Sequence, residues 1–177
     1  DAEDIDSFDA PTSPGLADGG FTVTQASYDD FNDGSDTYVA WGWKANGGVD
    51  TSTGSESGDN PAFNQQANPD CGFSIIKYVG TQANGTIAHG LNDKPEWMML
   101  KNRDVGGNAI IIYHHNLDSP HQNYHMRMGA GTGGNGLSTS STRFNNTAAN
   151  TTVFTLGADA NINDDGVNCI AYVWTEI

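Results

Sequence analysis

Residues 94–114, KPEWMMLKNRDVGGNAIIIYH, contain the pattern that decides the fold. A proline stands near the start, and two apolar runs follow, from Trp97 to Leu100 and from Ala109 to Tyr113. Between them lies DVGGN at 104–108, whose glycines and asparagine suit a tight reversal of the chain. Because short apolar runs bounded by such residues favour strands over helices, the segment predicts a β-hairpin.

Strand patterns also occur on both sides of this hairpin. They cover residues 21–24, 38–43, 73–79, 85–91, 153–156 and 169–174. No window repeats its apolar residues every 3.6 positions, and 22 glycines with abundant Asn and Thr favour turns and short strands. The sequence therefore predicts an all-β protein, for which we expect a jelly-roll-like antiparallel β-sandwich. The four tryptophans, Trp41, Trp43, Trp97 and Trp174, are predicted to lie in its core.

Composition divides the chain into four stretches. Residues 1–19 are acidic and contain proline, which predicts an extended arm. Residues 20–45 are predicted to form a hairpin, and residues 46–70, rich in Gly, Ser and Asn, predict a loop or linker. Residues 71–177 predict the sandwich module itself.

The hairpin at 20–45 repeats the closing hairpin of the module. FTV at 21–23, NDG at 32–34 and AWGW at 40–43 parallel FTL at 154–156, DDG at 164–166 and AYVW at 171–174. Such self-similarity predicts one supersecondary unit that is used twice. Chance similarity between glycine-rich hairpins is the alternative explanation.

The charge balance excludes some classes of partner. The formal net charge is −15, from 22 acidic and 7 basic residues, and such a surface repels nucleic acid and anionic membranes. No apolar stretch approaches the length of a membrane span and the N-terminus resembles no signal peptide, so we expect no membrane insertion. Of the two cysteines, Cys169 is predicted to be a buried thiol, and a Cys71–Cys169 bridge is the alternative.

Residues 72–177 resemble a β-sandwich domain that is common in marine phage and cyanophage structural proteins. The blocks that carry the resemblance are GFSIIKYVG at 72–80, NGTIAHGL at 84–91, KPEW at 94–97, KNRD at 101–104, VFTLG at 153–157 and CIAYVWTEI at 169–177. The resemblance implies a virion-associated β-sandwich of the kind found in tail-fibre-like proteins, and it brings no catalytic motif with it.

From this resemblance we expect a non-enzymatic structural protein of an extracellular bacteriophage particle. The leading interpretation is a tail fibre or adhesion component that forms a homotrimer, packs against other virion proteins and contacts a host-surface glycan. The alternative is a capsid decoration (cement) protein, in which residues 1–19 lie along a neighbouring subunit. No serine lies in a G-x-S-x-G context, and we expect no catalytic residue.

Three loops are predicted to carry the contacts with a partner or glycan, because the loops of a sandwich cluster at its ends. They span 104–108, 116–124 and 129–141, and the residues singled out within them are Asp104, Asn108, Asn116, His121, Tyr124 and Asn135. The histidines at 114, 115, 121 and 125 indicate either a transition-metal site or surface hydrogen bonding.

Residues 159–166, DANINDDG, alternate oxygen-bearing side chains much as a calcium loop does. The candidate Ca²⁺ ligands are Asp159, Asn161, Asn163 and Asp165. The glycine falls two positions late for such a loop, and no glutamate follows at the expected distance. We therefore favour a simple Asp-Gly hairpin turn, with weakly bound calcium as the alternative, and we expect no other cofactor.

Overall fold

A computed structural model describes residues 16–17, 20–21, 37, 39, 41–129 and 136–176. The chain divides into two compact units, Asp1–Gly42 and Trp43–Ile177. In the first unit, β1 (Leu16–Ala17) pairs with β2 (Gly20–Phe21) in an antiparallel hairpin. Most of the repeat predicted at 21–43, and most of the arm predicted at 1–19, lie outside the described residues.

The described residues of the second unit form ten strands, one short α-helix and two 3-10 turns. The strands are β3 (Ser52–Gly54), β4 (Phe63–Asn68), β5 (Phe73–Val79), β6 (Gly85–Ala88), β7 (Trp97–Asn102), β8 (Ile110–His114), β9 (Tyr124–Met128), β10 (Gly136–Thr139), β11 (Val153–Leu156) and β12 (Asn168–Trp174). The helix α1 spans Ala160–Asn163, and the 3-10 turns span Pro69–Cys71 and His121–Asn123. The all-β prediction is confirmed.

Eight of these strands form one antiparallel sheet in the order β10-β9-β8-β7-β12-β5-β4-β3, and β6 pairs with β11 in a separate two-stranded sheet. The last strand, β12, thus lies between two meanders and pairs with β5 on one side and β7 on the other. A jelly roll divides its eight strands between two sheets. The strand order found here, with eight strands in one sheet, therefore differs from the jelly-roll arrangement that the sequence led us to expect.

Residues 46–70 contain two strands of the large sheet, which corrects the prediction that the whole stretch is a loop or linker. Strands β3 and β4 lie in this stretch, and β4 pairs with β5 along its whole length. The sequence FNQQAN shows no alternation of apolar and polar residues, because its buried position 65 is a glutamine. The side-chain amide of Gln65 donates a hydrogen bond to the Ala88 carbonyl oxygen at 2.7 Å, so this buried polar group has a partner.

The core lies between the β6–β11 pair and one face of the large sheet, here called the inner face. Ile76, Leu100 and Val173 come from the sheet, Ile87 and Phe154 come from the pair, and all five are fully buried in one cluster. Burial of each such side chain contributes about 1.5–3 kcal/mol. The inner face is therefore the main source of stability for this unit.

Both cysteines are free thiols, so the alternative of a Cys71–Cys169 bridge is wrong. Cys71 is exposed, whereas Cys169 is fully buried on the inner face of β12, as its apolar surroundings predict. Burial is the main cause that raises the pKa of the Cys169 thiol to about 11. This thiol is therefore protonated and unreactive at neutral pH.

Candidate functional site

The three loops predicted to bind a partner divide between opposite ends of the sheet. In the meander from β7 to β10, the β7–β8 and β9–β10 connections share one end, and the β8–β9 connection lies at the other. The loop 104–108 is thus separated from the loop 116–124 by the length of the strands. Of the segment 129–141, residues 130–135, which include Asn135, lie outside the described residues.

Two of the predicted segments meet in an open cleft at the second end. The cleft has a volume of about 440 Å³ and is lined by Pro120, Asn123, Tyr124, Thr139, Ser140 and Ser141. Strand pairing sets Thr139 opposite Tyr124, and the Ser140 N–H donates to the Asn123 carbonyl oxygen at 2.9 Å. This arrangement, named the Tyr124 cleft, joins the segment 116–124 to the segment 129–141.

The walls of the Tyr124 cleft carry neutral polar groups. One phenol, one amide and three hydroxyls line it, and none of the described lining residues is charged. The Oδ1 atom of Asn123 is buried and accepts no hydrogen bond from the described residues. A buried acceptor without a partner costs about 1–3 kcal/mol, and a ligand that donates to this atom gains that energy only if the Asn123 side chain turns its Oδ1 atom towards the cleft. Sugar hydroxyls are donors of this kind.

At the opposite end, the predicted contact residues stabilise their own loop. The Asp104 carboxylate accepts from the backbone and side-chain nitrogens of Asn168 at 2.9 and 2.8 Å. These two bonds lower the pKa of Asp104. The Asn108 carbonyl oxygen accepts from Lys101 Nζ at 2.7 Å. The loop 104–108 is therefore held by β7 and β12 and has no share in the Tyr124 cleft.

The remaining predicted contact residues, Asn116 and His121, lie in the connection between β8 and β9. The Asn116 N–H donates to His114 Nδ1 at 3.0 Å and thereby fixes the turn after β8. The His121 ring packs edge-on against Tyr113, with the ring centroids 5.9 Å apart. Neither side chain lines the cleft, so their role in the fold accounts for their positions.

The histidines do not form a single cluster, although the rings of His114 and His115 pack edge-on with their centroids 5.0 Å apart. His115 Nδ1 lies 3.1 Å from Glu96 Oε2, whereas His125 is buried on the inner side of β9. Within the described ranges, no group of three His, Cys, Asp or Glu side chains is arranged to hold a metal ion. The transition-metal alternative therefore has no support in the geometry.

The side chains predicted to bind calcium form hydrogen bonds within the protein. Asp159 is the N-cap of α1, where Oδ1 accepts from the backbone and side-chain nitrogens of Asn161 at 2.9 and 2.8 Å. Its Oδ2 accepts from Arg143 Nε at 3.2 Å. Asn163 is buried, donates to two carbonyl oxygens at 2.8 and 3.0 Å and accepts a backbone N–H at 3.0 Å. Only Asp165 is exposed, so the oxygen pattern reflects capping and turn formation.

One buried polar network could not be found from the sequence. Arg143 lies between His125 and Asp159, donating to His125 Nε2 through Nη1 and approaching Asp159 Oδ2 through Nη2 at 3.1 Å. Burial first, and the Arg143 charge second, lower the pKa of His125 to about 4. These residues are separated by 16 to 34 positions in the chain, and no spacing rule links them.

The face of the large sheet opposite the core, here called the outer face, is also apolar. Trp97 and Trp174 stack there with ring centroids 4.7 Å apart, and Trp43, 48% exposed, packs edge-on against Trp174 at 5.4 Å. The prediction that these tryptophans lie in the core is therefore wrong. Alternation in a strand places a bulky residue on one face, and the sequence does not tell which face the core covers.

The family of the chain is given by a match along nearly its whole length. Residues 2–177 match a family described as a domain of unknown function, DUF7483. The chain belongs to the DUF7483 family. No curated protein and no solved structure matches this DUF7483 chain. In the part of the chain that the structure describes, no helix is both long and apolar enough to cross a bilayer.

Proposed function

We propose that this chain is a non-enzymatic structural protein of a bacteriophage particle, and that it acts as a tail fibre or adhesion component which contacts a host-surface glycan. The observation that carries the glycan contact is the Tyr124 cleft. It is neutral, combines an aromatic ring with hydroxyl and amide groups, and contains a buried acceptor without a partner. The resemblance of residues 72–177 to phage structural proteins supports a place in a virion.

The groups in the cleft match the chemistry of a sugar. Sugar hydroxyls donate and accept hydrogen bonds with Asn123, Ser140 and Ser141, and the C–H face of a sugar ring packs on an aromatic ring such as that of Tyr124. The net charge of −15 produces a potential that repels polyanions. The proposal therefore specifies a neutral glycan and disfavours an acidic polysaccharide.

A matched pair of asparagine variants tests the glycan contact. Asn123→Ala removes a side chain from the cleft, and Asn108→Ala makes the same change at the other end of the sheet. In calorimetric titrations with neutral surface polysaccharides of the host, Asn123→Ala should weaken binding by about tenfold or more, as expected for about 1.4 kcal/mol, and Asn108→Ala should leave it unchanged. If no neutral polysaccharide binds, or both variants bind equally well, the Tyr124 cleft is not the site.

A capsid decoration protein is the second candidate function, and the outer face favours it. In a sheet with one solvated face, each strand normally alternates apolar residues directed to the core with polar residues directed to solvent. Here both faces of the sheet are apolar. Such a face fits packing against other virion proteins. Electron microscopy of intact particles would distinguish the two candidates: copies on the tail support adhesion, and copies across the capsid lattice support decoration.

The absence of catalysis is a separate element of the proposal. The carboxylate of the buried network, Asp159, is held by Arg143 and by helix capping. A polysaccharide that binds should therefore keep its chain length during prolonged incubation with the protein. Shortening of the polymer, measured by size-exclusion chromatography, would contradict the non-enzymatic assignment.

A further inference from the structure

The outer face of the large sheet forms continuous cross-strand rows of apolar side chains. Strand registers align one row from β10 to β5 and a second row beside it from β7 to β5. The first row consists of Leu137, Met126, Ile112, Met99, Tyr172 and Ile75, and the second of Trp97, Trp174 and Phe73. Neither row contains Asp, Glu, Lys or Arg.

The charged residues of this face are confined to a third row. Lys101 and Lys77 lie on either side of Ile170, and the Lys101 amine is directed towards the loop 104–108, where it donates to Asn108. No Asp or Glu occurs in any of the described strands, although the chain carries 22 acidic residues. The acidic residues of the described part therefore lie in loops and turns and leave the two apolar rows free of negative charge.

Most side chains of these rows are in contact with solvent. Leu137 is 57% exposed and Met128 beside it is 44% exposed, while Met99, Met126 and Tyr172 are half-buried, and Ile112 and Phe73 are buried. The β6–β11 pair and α1 lie on the inner side, and on the outer side Trp43 packs against Phe73 and Trp174 and covers the end of the second row. An apolar patch of this extent on a protein surface marks an interaction site.

We propose that the outer face packs against the same face of a second copy of this chain. A nucleic acid or another polyanion is repelled by the net charge of −15, and a basic partner would be drawn to the acidic loops. A neutral apolar surface fits this face best, and the chain itself carries one. This two-fold interface differs from the homotrimer that the resemblance led us to expect. The same patch faces itself in it, so the acidic loops of both copies stay at the edge.

The size of the face suits such an interface. Six strands from β10 to β5, spaced about 4.8 Å apart and about 20 Å long, give a footprint of about 500 Å² on each copy. Two copies together would bury about 1,000 Å² or more, which reaches the lower end for a specific protein interface. The Tyr124 cleft borders this face, because Tyr124 and Thr139 lie two positions from Met126 and Leu137 along β9 and β10 and therefore share their face. Its lining residues belong to neither row, and the inference does not depend on glycan binding.

Sedimentation velocity of the full chain at increasing concentration tests the self-association. We expect species heavier than the 18.8 kDa monomer. Raising the salt from about 0.15 M to about 1 M should strengthen the association, because the Debye length falls from about 8 Å to about 3 Å and the repulsion between acidic copies is screened. A chain that stays monomeric at all concentrations in both salts would overturn the proposal.

Two glutamate variants locate the interface. Leu137→Glu places a charge on the outer face, and Val105→Glu places the same charge on an exposed loop where the replaced side chain is 40% exposed. Leu137→Glu should weaken self-association by about tenfold or more, the equivalent of about 1.4 kcal/mol, and Val105→Glu should behave like the wild type. Equal association of both variants would assign the contact to another surface and refute this one.

Methionine oxidation gives a readout that does not require any variant. Of the four methionines, Met99, Met126 and Met128 lie on the outer face, and Met98 is buried on the inner face. Peroxide converts an accessible methionine to the sulfoxide, which peptide mass spectrometry detects. The three outer methionines should be oxidised in dilute protein and protected in concentrated protein, whereas Met98 should be protected in both. Protection that does not change with concentration would mean that something other than a second copy covers the face.

Discussion

Lowering the pH from about 7 to about 5 should lower the free energy of unfolding of the second unit, because the proton binds to His125 more readily in the unfolded chain. This side chain is 2% exposed, and its Nε2 accepts from Arg143, so a proton there would meet the guanidinium group. The pKa of His125 is about 4 in the folded chain, compared with about 6.5 for an unperturbed histidine. As the pH falls, the unfolded chain therefore binds the proton first.

The sign and size of the effect follow from these two pKa values. The stabilisation is fully present above about pH 6.5 and is lost as the pH falls from there towards 4. With one unit of pKa equal to about 1.4 kcal/mol, the loss between pH 7 and pH 5 is about 2 kcal/mol for this group. His89 is fully buried, and burial also lowers its pKa, so it acts in the same direction.

Urea unfolding at the two pH values, with a neutral variant for comparison, isolates the contribution of His125. Glutamine offers an acceptor to Arg143 and does not titrate, so the His125→Gln variant should lose about 2 kcal/mol less than the wild type between pH 7 and pH 5. Its stability at pH 7 can differ without affecting this comparison. A titration by nuclear magnetic resonance in which His125 becomes protonated above about pH 6 would refute the reasoning.

Three further predictions concern the core and the helix α1. Arg143→Leu should destabilise the chain by about 3 kcal/mol, measured by urea unfolding, because it leaves the Asp159 carboxylate nearly buried without its cation. Tyr78→Phe should lower the free energy of unfolding by about 1–2 kcal/mol in the same measurement, since the Tyr78 hydroxyl donates to the Ile162 carbonyl oxygen at 2.5 Å in the core. An unchanged unfolding midpoint would mean that this hydrogen bond adds no stability. Chelation of divalent cations should leave the melting temperature unchanged, because the Asn163 side chain is already hydrogen-bonded to backbone groups. A drop in melting temperature would support the calcium interpretation instead.

The strands that the sequence predicted correctly share one property, which is an apolar run between turn residues. The segments that became β5, β7, β8, β11 and β12 all have it, and local pattern sufficed because their inner residues are large and apolar. Strand β4 lacks this pattern, since its buried positions are Gln65 and Ala67. A glutamine can occupy such a position only because Ala88, distant in sequence, accepts its hydrogen bond.

Candidate sites were harder to predict than strands, because a loop's neighbours depend on strand order. The loops 104–108 and 116–124 are adjacent in sequence, yet the antiparallel path of β8 carries them to opposite ends of the sheet. Residues after β10 meet the second loop only because β10 pairs with β9. Likewise, the series of oxygens from Asp159 to Asp165 suggested a metal, whereas the partner of Asp159 is Arg143.

The sequence by itself determined that the chain is all-β, where most strands lie and that the surface is strongly acidic, because these properties depend on local residue patterns and on composition. Only the tertiary structure decided which face of each strand is covered. Both faces of β7 and β12 carry large apolar side chains, and the β6–β11 pair packs on one face only. That choice depends on contacts between residues far apart in the chain, and it makes Trp97 and Trp174 part of an exposed surface instead of the core.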